Sequence, residues 1–416
     1  MYRFESVNIF PISIVIKKTR CYNHLCETHI NTYKWRVKMK RLMALLLVLV
    51  LSIGVLAGCT PAAPAPEPAP APAETPAPAP AETPAPAASK IAKVGLGQNI
   101  SIGKSKDKGV DANGNEVLAA AQADVTIAAV GFDADGKVAS VTVDVAQTKV
   151  AFDADMKVTS DKESEVKSKK DLGADYGMVK ASSIGKEWFE QMGAFEEWMI
   201  GKTVEEIKAL KVKERDESHK NVPDVPELTS AVTITVESYI AAVEEAWNNS
   251  VDATGAETVG LGVETHINKS RDAGTDANGN AVTAQAQMDT YMSATAFDKD
   301  GKVVAAIIDN AQVRVPFDAE GKVATDKTVA GKTKVELGPD YGMVKASGIG
   351  KEWFEQMAAL QAWMVGKSID EINGMKVVER DASHPSVPDV AELTSSVTIT
   401  VEGYQAVVTE AFEMAR

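Results

Sequence analysis

An internal repeat is the sequence feature that most constrains the fold of this chain. The segment DYGMVKASSIGKEWFEQM at 175–192 returns as DYGMVKASGIGKEWFEQM at 340–357, an offset of 165 residues (340 − 175). Two copies are too few for a solenoid, and each copy is long enough to bury a core of its own. The repeat therefore predicts two tandem domains, at 89–250 and 254–416.

Within one copy, the hydrophobic pattern predicts a small antiparallel sheet. Apolar residues alternate at 124–130 and 138–145, which is typical of strands with one buried face. Asp135-Gly136 lies between them and is a hairpin turn signal, because glycine accepts positive φ. A third short strand is expected near 147–152.

Apolar residues at helical spacing predict the helices of each copy. They fill 183–199, which Gly201 would end, and they recur from about Val236. TVEE from Thr203 to Glu206 has the pattern of a capping box that opens a short helix. The predicted fold class is α+β, with the sheet packed against helices. The helical pattern assigns four tryptophans to the core: Trp188, Trp198, Trp353 and Trp363.

The segment MKRLMALLLVLVLSIGVLAGC at 39–59 has the layout of a secretory signal peptide. Lys40 and Arg41 precede an apolar run at 42–55, which is shorter than the ~20 residues needed to cross a bilayer. The last four residues, LAGC, resemble a bacterial lipobox, in which the cysteine, here Cys59, is lipidated. The alternative is an uncleaved anchor helix.

The regions on either side of this signal are expected to lie outside the folded part. Residues 1–38 are interpreted as a mis-annotated extension, because a signal peptide does not begin nearly forty residues before its basic region. Residues 60–88 are a Pro/Ala tether, expected to be disordered or semi-rigid polyproline II at ~3.1 Å per residue. Cys59 would be the one cysteine of the mature chain, so redox chemistry would require a bound cofactor.

The charge of the chain argues against one class of partner. The formal net charge is −14, whereas nucleic-acid binding needs a basic surface. We predict no nucleic-acid partner. No catalytic or metal-ligating residue is predicted either.

A hydroxyl-rich stretch occurs once in each copy, as ELTSAVTIT at 227–235 and ELTSSVTIT at 392–400. Val232 to Val236 alternate between apolar residues and threonine, which predicts a strand that leads into a helix. Thr233 would then lie near a helix N-terminus, where free N–H groups and the helix dipole favour a phosphate.

This stretch resembles the attachment motif of FMN-binding domains in secreted and membrane redox proteins. That motif has an acidic residue, two spacers and then Ser-Gly-Ala-Thr. Glu227, Ser230 and Thr233 are in register with it, although Ala231-Val232 replace Gly-Ala. The second copy keeps the same register at Glu392, Ser395 and Thr398.

The resemblance implies a cofactor and a set of partners. In this family a flavin transferase uses FAD and Mg²⁺ to attach FMN through its phosphate to the threonine, which implies two covalent FMN groups here. The layout of residues 39–416 resembles PplA-type lipoproteins of extracellular electron transfer. It implies an electron carrier rather than a turnover enzyme, held by lipid on Cys59 at the extracytoplasmic face of the cell membrane. A membrane quinone pathway with its dehydrogenase would donate electrons, and external acceptors would receive them.

Other interpretations stay open. Thr233 and Thr398 would cap helices in a plain structural reading. The chain would then be a non-catalytic surface lipoprotein that binds a ligand or a partner, or it would hold FMN without a covalent bond. The segment ERDESH at 214–219 is expected to be a solvated loop, in which Arg215 and its counterpart Arg380 have the chemistry to pair with a phosphate.

Overall fold

A computed structural model of the chain describes residues 91–416. The expectations for 1–38, for the signal peptide at 39–59 with Cys59, and for the tether at 60–88 lie outside the described residues. The described residues belong to one compact unit. They form a mixed α+β structure in which antiparallel sheets are packed with helices, as expected for the fold class.

The first half of the described chain has three long strands and two long helices. Its strands are β1 (Lys93–Ser101), β2 (Gly109–Val110), β3 (Glu116–Val117), β4 (Ala120–Phe132), β5 (Val138–Ala151), β6 (Val212–Lys213), β7 (Val222–Pro223) and β8 (Val251–Asp252). Its helices are α1 (Lys169–Leu172), α2 (Trp188–Met199), α3 (Val204–Lys208), α4 (Pro226–Thr229) and α5 (Glu237–Asn248), with a 3-10 turn at Gly173–Tyr176.

The second half repeats this order, apart from counterparts of α4 and β8, with β9 starting 165 residues after β1 (258 − 93). Its strands are β9 (Thr258–His266), β10 (Gly274–Thr275), β11 (Ala281–Val282), β12 (Gln285–Phe297), β13 (Val303–Pro316), β14 (Val377–Val378) and β15 (Val387–Pro388). Its helices are α6 (Lys334–Leu337), α7 (Trp353–Met364), α8 (Ile369–Asn373) and α9 (Glu402–Met414), with a 3-10 turn at Gly338–Tyr341.

The predicted hairpin is confirmed, and its strands are longer than expected. Strands β4 and β5 are joined by a turn in which the Asp133 carboxylate accepts hydrogen bonds from the backbone N–H groups of Asp135 (2.9 Å) and Lys137 (2.8 Å). Gly136 has φ +76° there, as the turn requires. The separate strand expected near 147–152 is wrong, because β5 continues unbroken through most of that segment.

The helix boundaries are partly as predicted. The helix expected at 183–199 begins five residues later, where Glu187 is the N-cap and forms a capping box with Glu190. The capping box of Thr203 and Glu206 at α3 is confirmed. Two of the four tryptophans assigned to the core, Trp188 and Trp353, are almost fully buried, while Trp198 and Trp363 are partly buried.

The two main sheets pack face to face, with helices on the outside. Their strand orders are β5-β4-β1-β8 and β13-β12-β9, and all neighbours are antiparallel. Alternate residues of β4, such as Val125 and Ile127, join a core that contains residues of both halves. The other face of β4, with Val130 and Phe132, packs under the helices of the first half. The helices of the second half cover a third core.

Contacts between the halves are reciprocal, as in an isologous interface. The Lys108 N–H donates to the Gly321 carbonyl (2.9 Å), and 165 residues later the Ala273 N–H donates to the Met156 carbonyl (3.0 Å). Phe152 meets its own counterpart: 317 − 152 is also 165, and the ring centroids of Phe152 and Phe317 are 5.0 Å apart. The halves are therefore related by a pseudo-two-fold arrangement within one chain.

Long helices α5 and α9 approach their sheets at glycine positions. A Cβ on Gly97 would lie 2.0 Å from the Ala242 carbonyl oxygen, and one on Gly262 would lie 1.8 Å from the Val407 carbonyl oxygen. Backbone atoms on the opposing helix cannot rotate away, so both positions need glycine. Within residues 91–416, no helix combines the length and apolar character that a membrane span requires.

We predict that Gly262→Ala destabilises the protein by on the order of 3 kcal/mol, because the methyl group forces α9 away from β9. The matched control is Gly193→Ala in α2, where a Cβ meets no atom within 4 Å and where the second half has Ala358. The control should be stabilised by up to about 1 kcal/mol through helix propensity. Urea unfolding followed by circular dichroism measures both. Equal effects of the two substitutions would contradict the close packing.

The half-buried carboxyl group of Glu410 on α9 is influenced by charges of the first half. The Glu410 carboxylate accepts a hydrogen bond from the Val263 N–H (2.7 Å). Burial raises the pKa of Glu410 to about 8, and the carboxylates of Asp171 and Asp144 in the first half add to this. Glu245 is its counterpart, with a pKa raised to about 7 by burial.

The raised pKa of Glu410 predicts a pH dependence of stability. In the unfolded state Glu410 loses its proton near the ordinary glutamate pKa of about 4.3, whereas the folded state retains the proton to a higher pH. The free energy of unfolding therefore falls as the pH rises from about 4.3 to about 8. Glu410→Gln keeps a hydrogen-bond acceptor and removes this titration. Its free energy of unfolding in urea should fall less than the parent's between about pH 6 and about pH 9. Exposed Glu379→Gln is the control, and parallel profiles of parent and Glu410→Gln would refute the assignment.

Candidate functional site

The motif threonines lie in a connection that has no strand. Thr233 follows helix α4 and precedes α5, which begins at Glu237. The predicted strand at 232–236 is wrong, because its backbone groups bond elsewhere: the Val232 N–H to the Leu228 carbonyl (2.8 Å) and the Val236 N–H to the Asn221 carbonyl (3.1 Å). The alternation instead reflects valines that enter the core beneath the helices.

A buried glutamine holds each threonine. Gln191 Oε1 accepts hydrogen bonds from the Thr233 N–H (2.8 Å) and from its Oγ1 (3.2 Å). Gln191 lies on α2 and is fully buried. Its Nε2 donates to Ser182 Oγ (3.1 Å) and to the Lys186 carbonyl (3.3 Å), which fixes the orientation of the amide.

The second half has the same glutamine clamp, in which a glutamine amide oxygen accepts hydrogen bonds from the backbone N–H and the hydroxyl of a threonine. Gln356 Oε1 accepts from the Thr398 N–H (2.8 Å) and from its Oγ1 (3.3 Å). Gln356 Nε2 donates to Ser347 Oγ (3.1 Å) and to the Lys351 carbonyl (3.3 Å). The long repeated segment DYGMVKAS…KEWFEQM thus supports the threonine in both halves.

An arginine from the predicted solvated loop reaches the same threonine. Arg215 Nη1 donates to the Thr233 carbonyl (2.8 Å), and its Nε donates to Asp216 Oδ2 (3.0 Å). Arg380 repeats the contact with the Thr398 carbonyl (2.9 Å). Both loops are exposed as expected, but the sequence did not indicate that their arginines meet the threonines.

The aspartate of this loop is held in its charged form. Hydrogen bonds from His219 and then from Arg215 lower the pKa of Asp216 to about 2. Asp381 has the same low pKa of about 2, with the His384 hydrogen bond as the main cause. An ionised aspartate keeps the arginine side chain oriented along the loop, so the guanidinium remains beside the threonine backbone.

The acidic and serine members of the motif are exposed. Glu227 lies on α4 and Ser230 ends it, while Glu392 and Ser395 lie in a run of turns at 391–396. Among the described residues, no hydrogen bond joins any of these four side chains to Thr233 or Thr398. They lie near the threonines along the chain and make no direct contact that would activate the hydroxyl.

The threonines do not cap the helices that follow. The N-cap residues of α5 and α9 are Val236 and Val401, and neither makes a side-chain cap hydrogen bond. The plain capping interpretation of Thr233 and Thr398 is therefore wrong. The buried Oγ1 atoms of the neighbouring Thr235 and Thr400 have no hydrogen-bond partner in the described structure.

Each half also contains a caged lysine, whose ammonium group is enclosed by aromatic rings. Lys169 Nζ is 5.0 Å from the ring centroid of Tyr176 and 5.1 Å from that of Trp188. Trp188 begins α2, three residues before Gln191, and donates its indole N–H to the Tyr239 hydroxyl (3.0 Å). Burial lowers the pKa of Lys169 to about 8. Sequence reasoning missed this group; the retention of lysine at 169 and 334 was the available signal.

Comparisons with known proteins add no identification. No protein-family model, no curated protein and no solved structure matches this chain. In residues 91–416, no group of three or more histidine, cysteine, aspartate or glutamate side chains is arranged to hold a metal ion.

We predict that Gln356→Leu destabilises the protein by about 1–3 kcal/mol, because it leaves the N–H and hydroxyl of Thr398 without their acceptor. Ala362→Leu, at an exposed position of the same helix, is a control for the introduction of leucine into α7. Hydrogen exchange at the Thr398 amide should accelerate selectively in Gln356→Leu. Unchanged exchange at that amide would show that the clamp does not hold the threonine.

Proposed function

We propose that this protein is a lipid-anchored extracytoplasmic flavoprotein that carries covalent FMN on Thr233 and Thr398 and acts as an electron carrier. One observation carries the proposal. In each half, a motif threonine, a buried glutamine and an arginine come together from segments 42 and 18 residues apart. A threonine held this firmly next to a guanidinium is suited to bear a phosphoester.

Each group at the site has a definable role toward a phosphate. Arg215 and Arg380 supply a positive charge beside the threonine, and the free N–H groups at the start of α5 and α9 add a positive dipole end. Bound FMN would supply the one- and two-electron redox chemistry. The chain supplies attachment and a positive environment for the phosphate.

The glutamine clamp bears on how attachment would proceed. Gln191 and Gln356 accept the hydrogen bond of the threonine hydroxyl, but a neutral amide is not a base. The side chains of Glu227 and Glu392 are not hydrogen-bonded to the threonines. A flavin transferase would therefore have to provide the group that takes the hydroxyl proton.

The two sites differ in access to such an enzyme. Thr233 is 9% exposed, whereas Thr398 is more exposed. In addition, Ala231 in the first motif is replaced by Ser396 in the second. Attachment requires the hydroxyl to reach the enzyme, so the second half should be loaded first.

The proposal includes the arrangement of the whole chain. The halves are proposed to be duplicated FMN-binding-like domains, at 89–250 and 254–416, that follow a disordered tether at 60–88. Lipid on Cys59 would hold them at the membrane, near a quinone-linked dehydrogenase that donates electrons. External acceptors would receive these electrons.

A second candidate is a non-catalytic lipoprotein that binds a ligand or a partner without covalent flavin. A cavity of about 350 Å³ beside the caged Lys334 favours it, because such a cavity can take a ligand whether or not a flavin is attached. Non-covalent FMN is a variant of this candidate.

Co-production with a flavin transferase tests the proposal directly. Thr233→Ala and Thr398→Ala should each remove one of two FMN groups, and the double variant should carry none, as measured by intact mass and by in-gel fluorescence after denaturation. The matched controls are Thr235→Ala and Thr400→Ala, which change a neighbouring threonine of the same motif and should keep both groups. At short labelling times Thr398 should be the first site modified.

Three results would reject the assignment. One is full labelling of the double variant, and another is a polypeptide mass without flavin in the parent protein. Colour that disappears on denaturation would favour non-covalent FMN instead.

A further inference from the structure

A cavity in the second half is lined by more cationic than anionic side chains. It measures about 350 Å³ and lies where β13 meets α6 and the turn that follows it. Three cationic side chains line it, those of Arg314, Lys332 and Lys334, against one carboxylate, Asp340. The chain as a whole carries a formal net charge of −14, so this concentration of positive charge attracts anions locally.

Lys334 is the unusual member of this lining. It is 8% exposed, and its Nζ lies 5.1 Å from the ring centroid of Tyr341 and 5.3 Å from that of Trp353. Within residues 91–416 its ammonium group has no hydrogen-bond acceptor and no ion-pair partner at contact distance. Burial lowers its pKa to about 8, although the carboxylates of Asp289 and Asp309 attract the ammonium from beyond contact distance.

The energetics argue that this lysine does not serve the fold. Two ring faces, together with the more distant carboxylates of Asp289 and Asp309, recover only part of the free energy that this ammonium loses when it leaves water. Removing that ammonium from water without a hydrogen-bonded partner is unfavourable. A methionine of similar length would fill the same space without that cost. A group that is costly to bury and still present is characteristic of a binding function.

The first half keeps the same group. Lys169 is 9% exposed and lies over Tyr176 and Trp188. The equivalents of the other two cationic positions are Lys149 and Lys167. The same chemistry therefore occurs twice, at positions related by the pseudo-two-fold arrangement.

We propose that the cavity beside Lys334 binds a small planar organic anion, and that the equivalent cluster of side chains around Lys169 binds the same class of ligand. The ammonium and the neighbouring cationic side chains would hold the anionic group. The apolar part of the ligand would contact Tyr341, Leu337 and Met343, which also line the cavity. A bound anion would give the Lys334 ammonium group an ion-pair and hydrogen-bond partner. This binding does not depend on covalent flavin.

Calorimetry on protein produced without a flavin transferase tests the inference. The probe is naphthalene-2-sulfonate, which is planar and permanently anionic, and naphthalene-2-sulfonamide is its neutral counterpart. The sulfonate should bind two per chain, and the sulfonamide should bind at least about tenfold more weakly, the effect of about 1.4 kcal/mol. Lys334→Met should remove one of the two sites, and Lys169→Met combined with Lys334→Met should remove both.

Two further variants separate binding from folding. Lys345→Met removes the same charge from an exposed position outside the cavity and should keep both sites. Arg314→Met changes the exposed rim of the cavity and should weaken the second site even if Lys334→Met does not fold. We expect Lys334→Met to be at least as stable as the parent protein in urea.

Undiminished sulfonate binding in both Lys334→Met and Arg314→Met would overturn the inference, and so would equal affinity for the neutral sulfonamide. Marked destabilisation of Lys334→Met, together with unchanged binding in Arg314→Met, would assign the lysine a purely structural role. None of these results depends on whether Thr233 and Thr398 carry flavin.

Discussion

The packing of the two sheets against each other is the interaction on which the rest of the structure depends. Each sheet offers its inner face to the other, with Phe152 and Phe317 in contact, so both halves contribute to one central core. Burial of apolar area at ~25 cal/mol/Å² makes this core the main shared source of stability. The outer faces are left to the helices, and both threonine clamps and both caged lysines therefore lie in the outer layers.

Local features of the fold could be predicted from the sequence because a few neighbouring residues determine them. The Asp-Gly turn before β5 and the capping box at Thr203 are examples. Strand β1 was missed because it is buried on both faces, between the other sheet and α5, and this removes the alternation that marks a half-exposed strand. The shared core was also missed, since a repeat within the sequence gives no sign of which faces the copies turn toward each other.

The sequence motif singled out the threonines of the candidate site, but the side chains that contact them could not be predicted from the sequence. Thr233 stood out as part of a motif, but Gln191 looked like an ordinary helix residue, and the arginine loop looked merely solvated. The contacts that join them span 42 and 18 residues, which no local pattern encodes. The same limitation explains why the strand predicted at 232–236 is wrong. Two buried valines four residues apart are compatible with several backbone conformations, and tertiary hydrogen bonds stabilise a turn there.

Differences between the halves indicate which positions the fold alone does not require. Glu196 accepts a hydrogen bond from the Val143 N–H and forms an ion pair with Lys170. The equivalent Gln361 accepts a hydrogen bond from the Ile308 N–H, and the equivalent of Lys170 is the uncharged Val335. The second half thus lacks both charges of this ion pair and keeps the backbone contact. Substitutions that preserve packing are thus accepted. The caged lysine and the glutamine-held threonine are present in both halves. Their retention in both halves agrees with the binding roles proposed for them.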